Sequence, residues 1–139
     1  MKNEMTLAFD SISENEAFAR VAVSAFITQL NPTLEEVADL KTAVSEAVTN
    51  CIIHGYEGEI HKIRMDLRRK GQELFVDITD QGVGIADIKK AMEPLYTSKP
   101  EKERSGMGFT FMEAFMDEVT VDSAVGVGTS VHMKKTIRR

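Results

Sequence analysis

Glu46 and Asn50 stand four apart in Ser45-Glu46-Ala47-Val48-Thr49-Asn50, so on a helix they project from one side about a turn from each other. A carboxylate and a carboxamide placed together can serve a proton transfer and a metal ion. In isolation the pair reads at least as well as a solvated polar stripe. Its context is three glycine clusters: Asp80-Gln81-Gly82-Val83-Gly84-Ile85, Ser105-Gly106-Met107-Gly108-Phe109 and Gly126-Val127-Gly128-Thr129. Each Gly-x-Gly alone is weak, because the pattern often marks only a turn. In this order, after a Glu-x-x-x-Asn helix, they are far more specific.

The helix that must carry Glu46 and Asn50 is marked by Leu34, Val37, Leu40, Val44, Val48 and Ile52, recurring every three or four residues as on a buried face. Thr33 with Glu36 reads as its capping box, and it should stop near Gly55. Residues 5–9 alternate as a first strand. Ser13 with Glu16 reads as a second capping box, opening a helix to about Leu30 with Phe18, Val21, Ala22, Ala25, Phe26 and Leu30 as its core stripe. Residues 60–69 and 73–79 form an expected hairpin around Lys70-Gly71-Gln72, whose second strand delivers Asp80. A short helix is expected at 87–92, a mobile lid at 94–105, a third helix at 107–115 and a closing hairpin at 118–122 and 130–135.

At 139 residues the chain suits one domain with a real core. No apolar run approaches membrane-spanning length and no signal peptide opens the chain, which points to the cytoplasm. The single cysteine, Cys51, excludes an internal disulfide and reads as a small packing residue. A net charge of −5 argues against direct nucleic-acid binding. Residues 1–60 hold ten acidic and three basic side chains, a net of −7, and the remainder carries +2. That split suggests that an anionic ligand is held by the rear half.

The order of motifs resembles the ATP-binding domain shared by gyrase, the Hsp90 chaperones, sensor histidine kinases and DNA mismatch-repair proteins, the Bergerat or GHKL fold. The resemblance runs from about Leu34 to the last strand. It implies an α+β fold: a two-layer α/β sandwich whose mixed, mainly antiparallel sheet is covered on one face by three helices, with a mobile ATP lid. It implies ATP or ADP and Mg2+ as cofactors. Asp80 then recognises adenine, since a carboxylate accepts from its exocyclic amino group, and the Thr129 hydroxyl completes that contact. Gly82 and Gly84 let the backbone pass close to the base. Ser105, Gly106, Met107, Gly108 and Phe109 open a helix whose free N–H groups face the phosphates, which Lys99 and Arg104 of the lid can reach. Asn50 matches the family's Mg2+ ligand, a hard oxygen donor. Glu46 matches its general base.

Among GHKL proteins, a single domain of this size is similar to the bacterial anti-sigma factor serine kinases of endospore formers. Sensor kinases carry a histidine-bearing hairpin ahead of the domain, for which a first strand at Met5 leaves no room. The resemblance rests on Asn3-Glu4-Met5, Ser13-Glu14-Asn15-Glu16, Ile53-His54-Gly55-Tyr56 and Glu103-Arg104-Ser105-Gly106-Met107-Gly108-Phe109-Thr110 beside the helix motif. It implies an ATP-dependent homodimer that sequesters a sporulation sigma factor and phosphorylates a serine of an anti-anti-sigma protein. The alternative is an ATP-regulated binding module without kinase activity. Two departures, the short loop Tyr56-Glu57-Gly58-Glu59 and Cys51 in place of a small alanine, fall on no expected ligand position. Arg20, the only basic residue between Lys2 and Lys41, is expected to face solvent and a protein partner, with an intramolecular pair to Glu16 as the equal alternative.

Overall fold

Thr33 starts the central helix as its sequence requires. Its hydroxyl accepts the Glu36 N–H at 3.1 Å while the Glu36 carboxylate accepts the Thr33 N–H at 2.9 Å, closing both ends of a capping box. In the computed structural model, which describes residues 2–93 and 108–138, this helix is α2, Leu34–Asn50. Leu40, Ala43, Val44, Ala47 and Val48 are fully buried along it. α1 (Ser13–Ile27) and α4 (Gly108–Phe115) pack against its two flanks. After α1 the chain tightens into a 3-10 turn, Thr28–Leu30, and breaks at Asn31, whose φ is 51°.

Two expectations about α1 are corrected. Ser13 does not cap it: Ile12 holds the cap position without a side-chain bond. Glu16 instead accepts the hydroxyl of Ser45 on α2, so a long-range partner outcompetes the local box. The core stripe is only partly the expected one: Phe26 and Leu30 hold and Ala22 packs at its edge, but its other members differ. Ala19, Val23, Phe26, Ile27 and Leu30 are buried, whereas Phe18, Val21 and Ala25 are exposed.

The strands are β1 (Lys2–Asp10), β2 (Lys62–Lys70), β3 (Glu73–Asp80), β4 (Glu118–Ala124) and β5 (Gly128–Thr136). They form one sheet in the order β1-β2-β3-β5-β4. All four pairings are antiparallel, so among the described residues the sheet has no parallel part. β2 and β3 join through a two-residue turn in which Gly71 takes φ +61°, a conformation open to glycine. Ile63, Met65, Leu67, Leu74, Val76, Ile78, Val131 and Met133 face the helices and are buried. Each such side chain contributes about 1.5–3 kcal/mol of burial. The opposite face carries polar and charged side chains, as expected of an antiparallel sheet covered on one side. The short helix α3, Ile88–Ala91, starts at Asp87, whose carboxylate accepts the Lys90 N–H at 3.0 Å.

Candidate functional site

α2 does not end at Asn50. It runs into a wide π-helical turn, Cys51–Gly55, closed by the Tyr56 N–H on the Cys51 carbonyl at 2.9 Å. Such turns recur at functional sites. Glu46 and Asn50, both half-buried, occupy the last regular turns before it. Gly108, the first residue of α4, lies directly over them. A Cβ there would stand 3.2 Å from Asn50 Nδ2, 3.3 Å from Asn50 Oδ1 and 3.4 Å from Glu46 Oε2. The structure thus brings a glycine of the second cluster to the carboxylate and carboxamide singled out from their spacing. Phe109, next on α4, packs against the core.

Asp80 ends β3 and is only 5% exposed. Burial pushes its carboxyl up from the ordinary carboxylate value, against the lowering effect of hydrogen bonds from the Gly82 N–H, the Cys51 thiol and the Thr129 N–H. The first of these measures 2.9 Å to Oδ1. A carboxylate has about four lone-pair sites, so three protein donors leave room for one more. Cys51 is therefore more than packing. Its own ionisation is pushed well up by burial and then by Asp80, so it stays a thiol and a donor. Sequence reasoning placed this residue away from any ligand position; the fold sets it on the Asp80 side chain.

Thr129 faces Asp80 across the β3–β5 ladder. Its hydroxyl, however, meets Ser123 Oγ at 2.8 Å. Ser123 also takes the Ile85 N–H at 2.7 Å and gives its proton to the Gly128 carbonyl at 3.0 Å. With that proton used, Thr129 must donate to Ser123, and its hydroxyl is left as an acceptor. Ser123 was missed from sequence, though a serine lining a hairpin opposite a candidate threonine is a signal.

The glycines of the Asp80 loop have a different reason from the one expected. A Cβ on Gly82 would lie 2.0 Å from the Gly55 carbonyl oxygen, and one on Gly84 2.2 Å from that of Ala124. Protein backbone, on the wide turn and on the β4–β5 hairpin, already fills those approaches. A groove of about 730 Å3 beyond the Gly55–Gly82 contact is lined by Tyr56, His61, Gln81 and Val83, and does not include Asp80, Glu46 or Asn50.

Lys99, Arg104, Ser105, Gly106 and Met107 lie outside the described residues. Arg20 lies on α1, its Nε 3.7 Å from Glu16 Oε1. That is the intramolecular pair weighed for it, and it is not simply solvent-facing: its side chain is 41% exposed, and its Nε is buried without a hydrogen-bond partner. Nor does the rear half build the site alone, since Glu46 and Asn50 come from the acidic front.

The arrangement fits a magnesium nucleotide. Hard oxygen donors of Asn50 and Glu46 converge under a helix N-terminus, and a buried carboxylate keeps acceptor capacity at the end of β3. No group of three or more His, Cys, Asp or Glu that could hold a metal ion exists among the described residues. No helix among them is long and apolar enough to cross a membrane.

A family profile described as a histidine kinase-like ATPase domain matches residues 11–135. The anti-sigma F factor of Oceanobacillus iheyensis is 61% identical over 140 residues, covering 100% of this chain and 96% of that protein. The anti-sigma F factor of Clostridium botulinum (strain Eklund 17B) is 60% identical over 135 residues, covering 96% of this chain and 94% of that protein. A solved structure of the RsbU and RsbW domains of Rv1364c from Mycobacterium tuberculosis superposes with a TM-score of 0.71 at 18% identity, over 99% of this chain and 32% of that one. At that identity the likeness is one of fold.

Proposed function

The chain belongs to the histidine kinase-like ATPase family, among relatives named anti-sigma F factor, and from that premise we propose that it is an ATP-dependent anti-sigma factor and a protein serine kinase. In this reading a cytoplasmic homodimer with ATP bound holds a sporulation sigma factor, and an anti-anti-sigma protein that displaces the sigma factor is phosphorylated on a serine and inactivated. Arg20 is the proposed partner contact.

The observation that carries the kinase reading is the convergence of Glu46, Asn50 and Gly108 at one end of α2. ATP supplies the transferred phosphoryl group and Mg2+ the charge that neutralises its oxygens. Asn50 would hold the ion through its carboxamide oxygen. Glu46 would take the proton of the incoming serine hydroxyl as its oxygen attacks the γ-phosphorus, with ADP as the leaving group. The N-terminus of α4 offers N–H groups and a helix dipole to the phosphates, for which the 8-residue helix supplies the field. Ser105, Gly106 and Met107 would extend that cradle, with Lys99 and Arg104 pairing the phosphate charge. Asp80 accepts from the adenine amino group, with the Thr129 hydroxyl as a second acceptor beside it.

Incubating the purified chain with γ-labelled ATP, Mg2+ and an anti-anti-sigma protein tests this. Label on a serine of the substrate protein is expected. Sigma-factor capture that needs ATP, with no transfer of label, would leave a binding module in place of the kinase.

A further inference from the structure

We propose that the wide turn Cys51–Gly55 and the tyrosine that follows it form a positioning element for adenine recognition, with the Tyr56 hydroxyl and the Cys51 thiol as its polar arms on the Asp80 loop; this rests on the adenine reading of Asp80. A wide turn inserts one residue relative to a regular helix, rotating everything after it by about 100°. That rotation brings Tyr56 inward. Its ring is 6% exposed and meets His61 at a centroid distance of 4.9 Å.

The Tyr56 hydroxyl has one proton and two lone pairs. The proton goes to the Lys62 carbonyl at 2.5 Å, tying the turn to the start of β2. A lone pair takes the N–H of Gln81, the residue after Asp80, at 2.8 Å. One residue earlier, the Gly55 carbonyl takes the Val83 N–H at 2.9 Å. At the other end of the turn the buried Cys51 thiol lies against the buried Asp80 carboxylate. Gly55 completes the seat: a Cβ on it would lie 2.6 Å from Asp80 Oδ2. These contacts therefore hold the carboxylate and the N–H groups of Gln81 and Val83 in the loop that follows it. The same turn continues directly from Asn50, so the spacing between the metal-binding amide and the base-reading carboxylate is set through it.

A hydroxyl that merely stabilised the fold would affect every nucleotide alike. One that aims Asp80 matters only to a base that donates to it. Inosine diphosphate shares the sugar and phosphates of ADP but carries a carbonyl where adenine has its amino group. Calorimetric affinities for both are therefore measured on the wild type, Tyr56→Phe and Asp80→Asn. For Tyr56→Phe the expected result is a roughly 3–30-fold loss for ADP, the effect of orphaning a buried N–H, with inosine diphosphate bound as before or tighter. Equal losses for the two nucleotides, or no loss for either, overturn the proposal. An Asp80→Asn chain that keeps the wild-type ratio overturns the adenine reading itself, which is a separate result. If Tyr56→Phe does not fold, the other arm decides. Cys51→Ala should narrow the ADP preference and Cys51→Ser restore it; a Cys51→Ala ratio equal to wild type overturns the proposal.

Discussion

Asp80 and His132 lie on the neighbouring strands β3 and β5, on opposite faces of the sheet, and both titrate above their ordinary values for opposite reasons. For Asp80 the cause is burial, which penalises its charge. For His132 burial works the other way, lowering the value, but hydrogen bonds and charge from Asp77 and Asp122 outweigh it and favour the imidazolium. The inner carboxylate is thus held at a cost to the fold, and the outer histidine is held by the fold's own pairing. Strain between a group and its surroundings is expected at functional sites, and here it separates the two faces. The inner face should lose function when its charges are removed, and the outer face only stability.

Glu46→Gln tests the inner face most severely. Phosphotransfer to the anti-anti-sigma protein should fall by roughly 10²–10⁴-fold, the usual worth of a general base, while ADP affinity stays near wild type. Transfer at the wild-type rate would remove Glu46 from the chemistry.

Asp80→Asn should weaken ADP by roughly 5–150-fold, the effect of an unmatched buried polar pair. Its effect on the empty protein has the opposite sign. A carboxyl whose folded value lies above its unfolded one contributes stability that is complete below the unfolded value and lost as pH rises through the folded one. At neutral pH ionised Asp80 therefore destabilises the fold. The nucleotide-free variant should melt at or above wild type near pH 7, and the gap should close toward about pH 4, where a free Asp titrates. A variant that melts lower at neutral pH would show that the Asp80 charge supports the fold, and the contrast with His132 would fail.

Gly82→Ala sharpens the same contrast from the backbone side. Its Cβ would meet the Gly55 carbonyl at 2.0 Å, a collision between two main chains that no rotamer relieves. Overpacking of this kind costs about 1–3 kcal/mol, so the melting temperature should drop. Nucleotide affinity should drop with it, because the displaced loop carries Asp80. A stable variant with weakened ADP binding would mean that Gly82 faces the base, as its sequence context alone suggested.

The parts of this picture visible in the sequence are those governed by near neighbours. The Thr33 capping box and the β2–β3 turn depend on residues a few positions apart, and each forms as read; the α2 stripe forms around Leu40, Val44 and Val48, with Val37 and Ile52 at its edge, but Leu34 at the helix start is 90% exposed. The Glu46–Asn50 pair followed from helical spacing. What stayed hidden depends on distant partners. Glu16 was committed to Ser45, 29 positions away, instead of a local cap. The α1 stripe was misplaced because Phe18, Ala19, Val21, Ala22, Val23, Ala25 and Phe26 leave few polar positions to mark an outside. Small Ala19 sits in the close contact and large Phe18 is left out, so fit rather than hydrophobicity chose the face. The Cys51 thiol reaches Asp80 only because the helix ends in a wide turn, which no local pattern marks.

The smallest effect is expected at His132. Its Nδ1 is 2.7 Å from Asp77 and its Nε2 3.0 Å from Asp122, so one ring spans β3, β5 and β4. Only the imidazolium donates from both nitrogens; the neutral ring must turn a lone pair toward one of the two carboxylates. With the folded value raised above the ordinary 6.5, the stabilisation is complete below about pH 6.5 and is lost as pH rises through the folded value. All three side chains are more than a third exposed, so screening holds each pair to about 0–1 kcal/mol. His132→Gln should therefore lower the melting temperature slightly near pH 6 and hardly at all near pH 9, about two and a half units above the unperturbed histidine value. Added salt should shrink the difference at pH 6, since exposed pairs are screened within about 10 Å at 0.1 M. ADP affinity and the ADP-to-inosine-diphosphate ratio should not move, because the ring points away from the Asp80 face. A change in either ratio or affinity would couple the two faces through the β3–β5 ladder and dissolve the division between them.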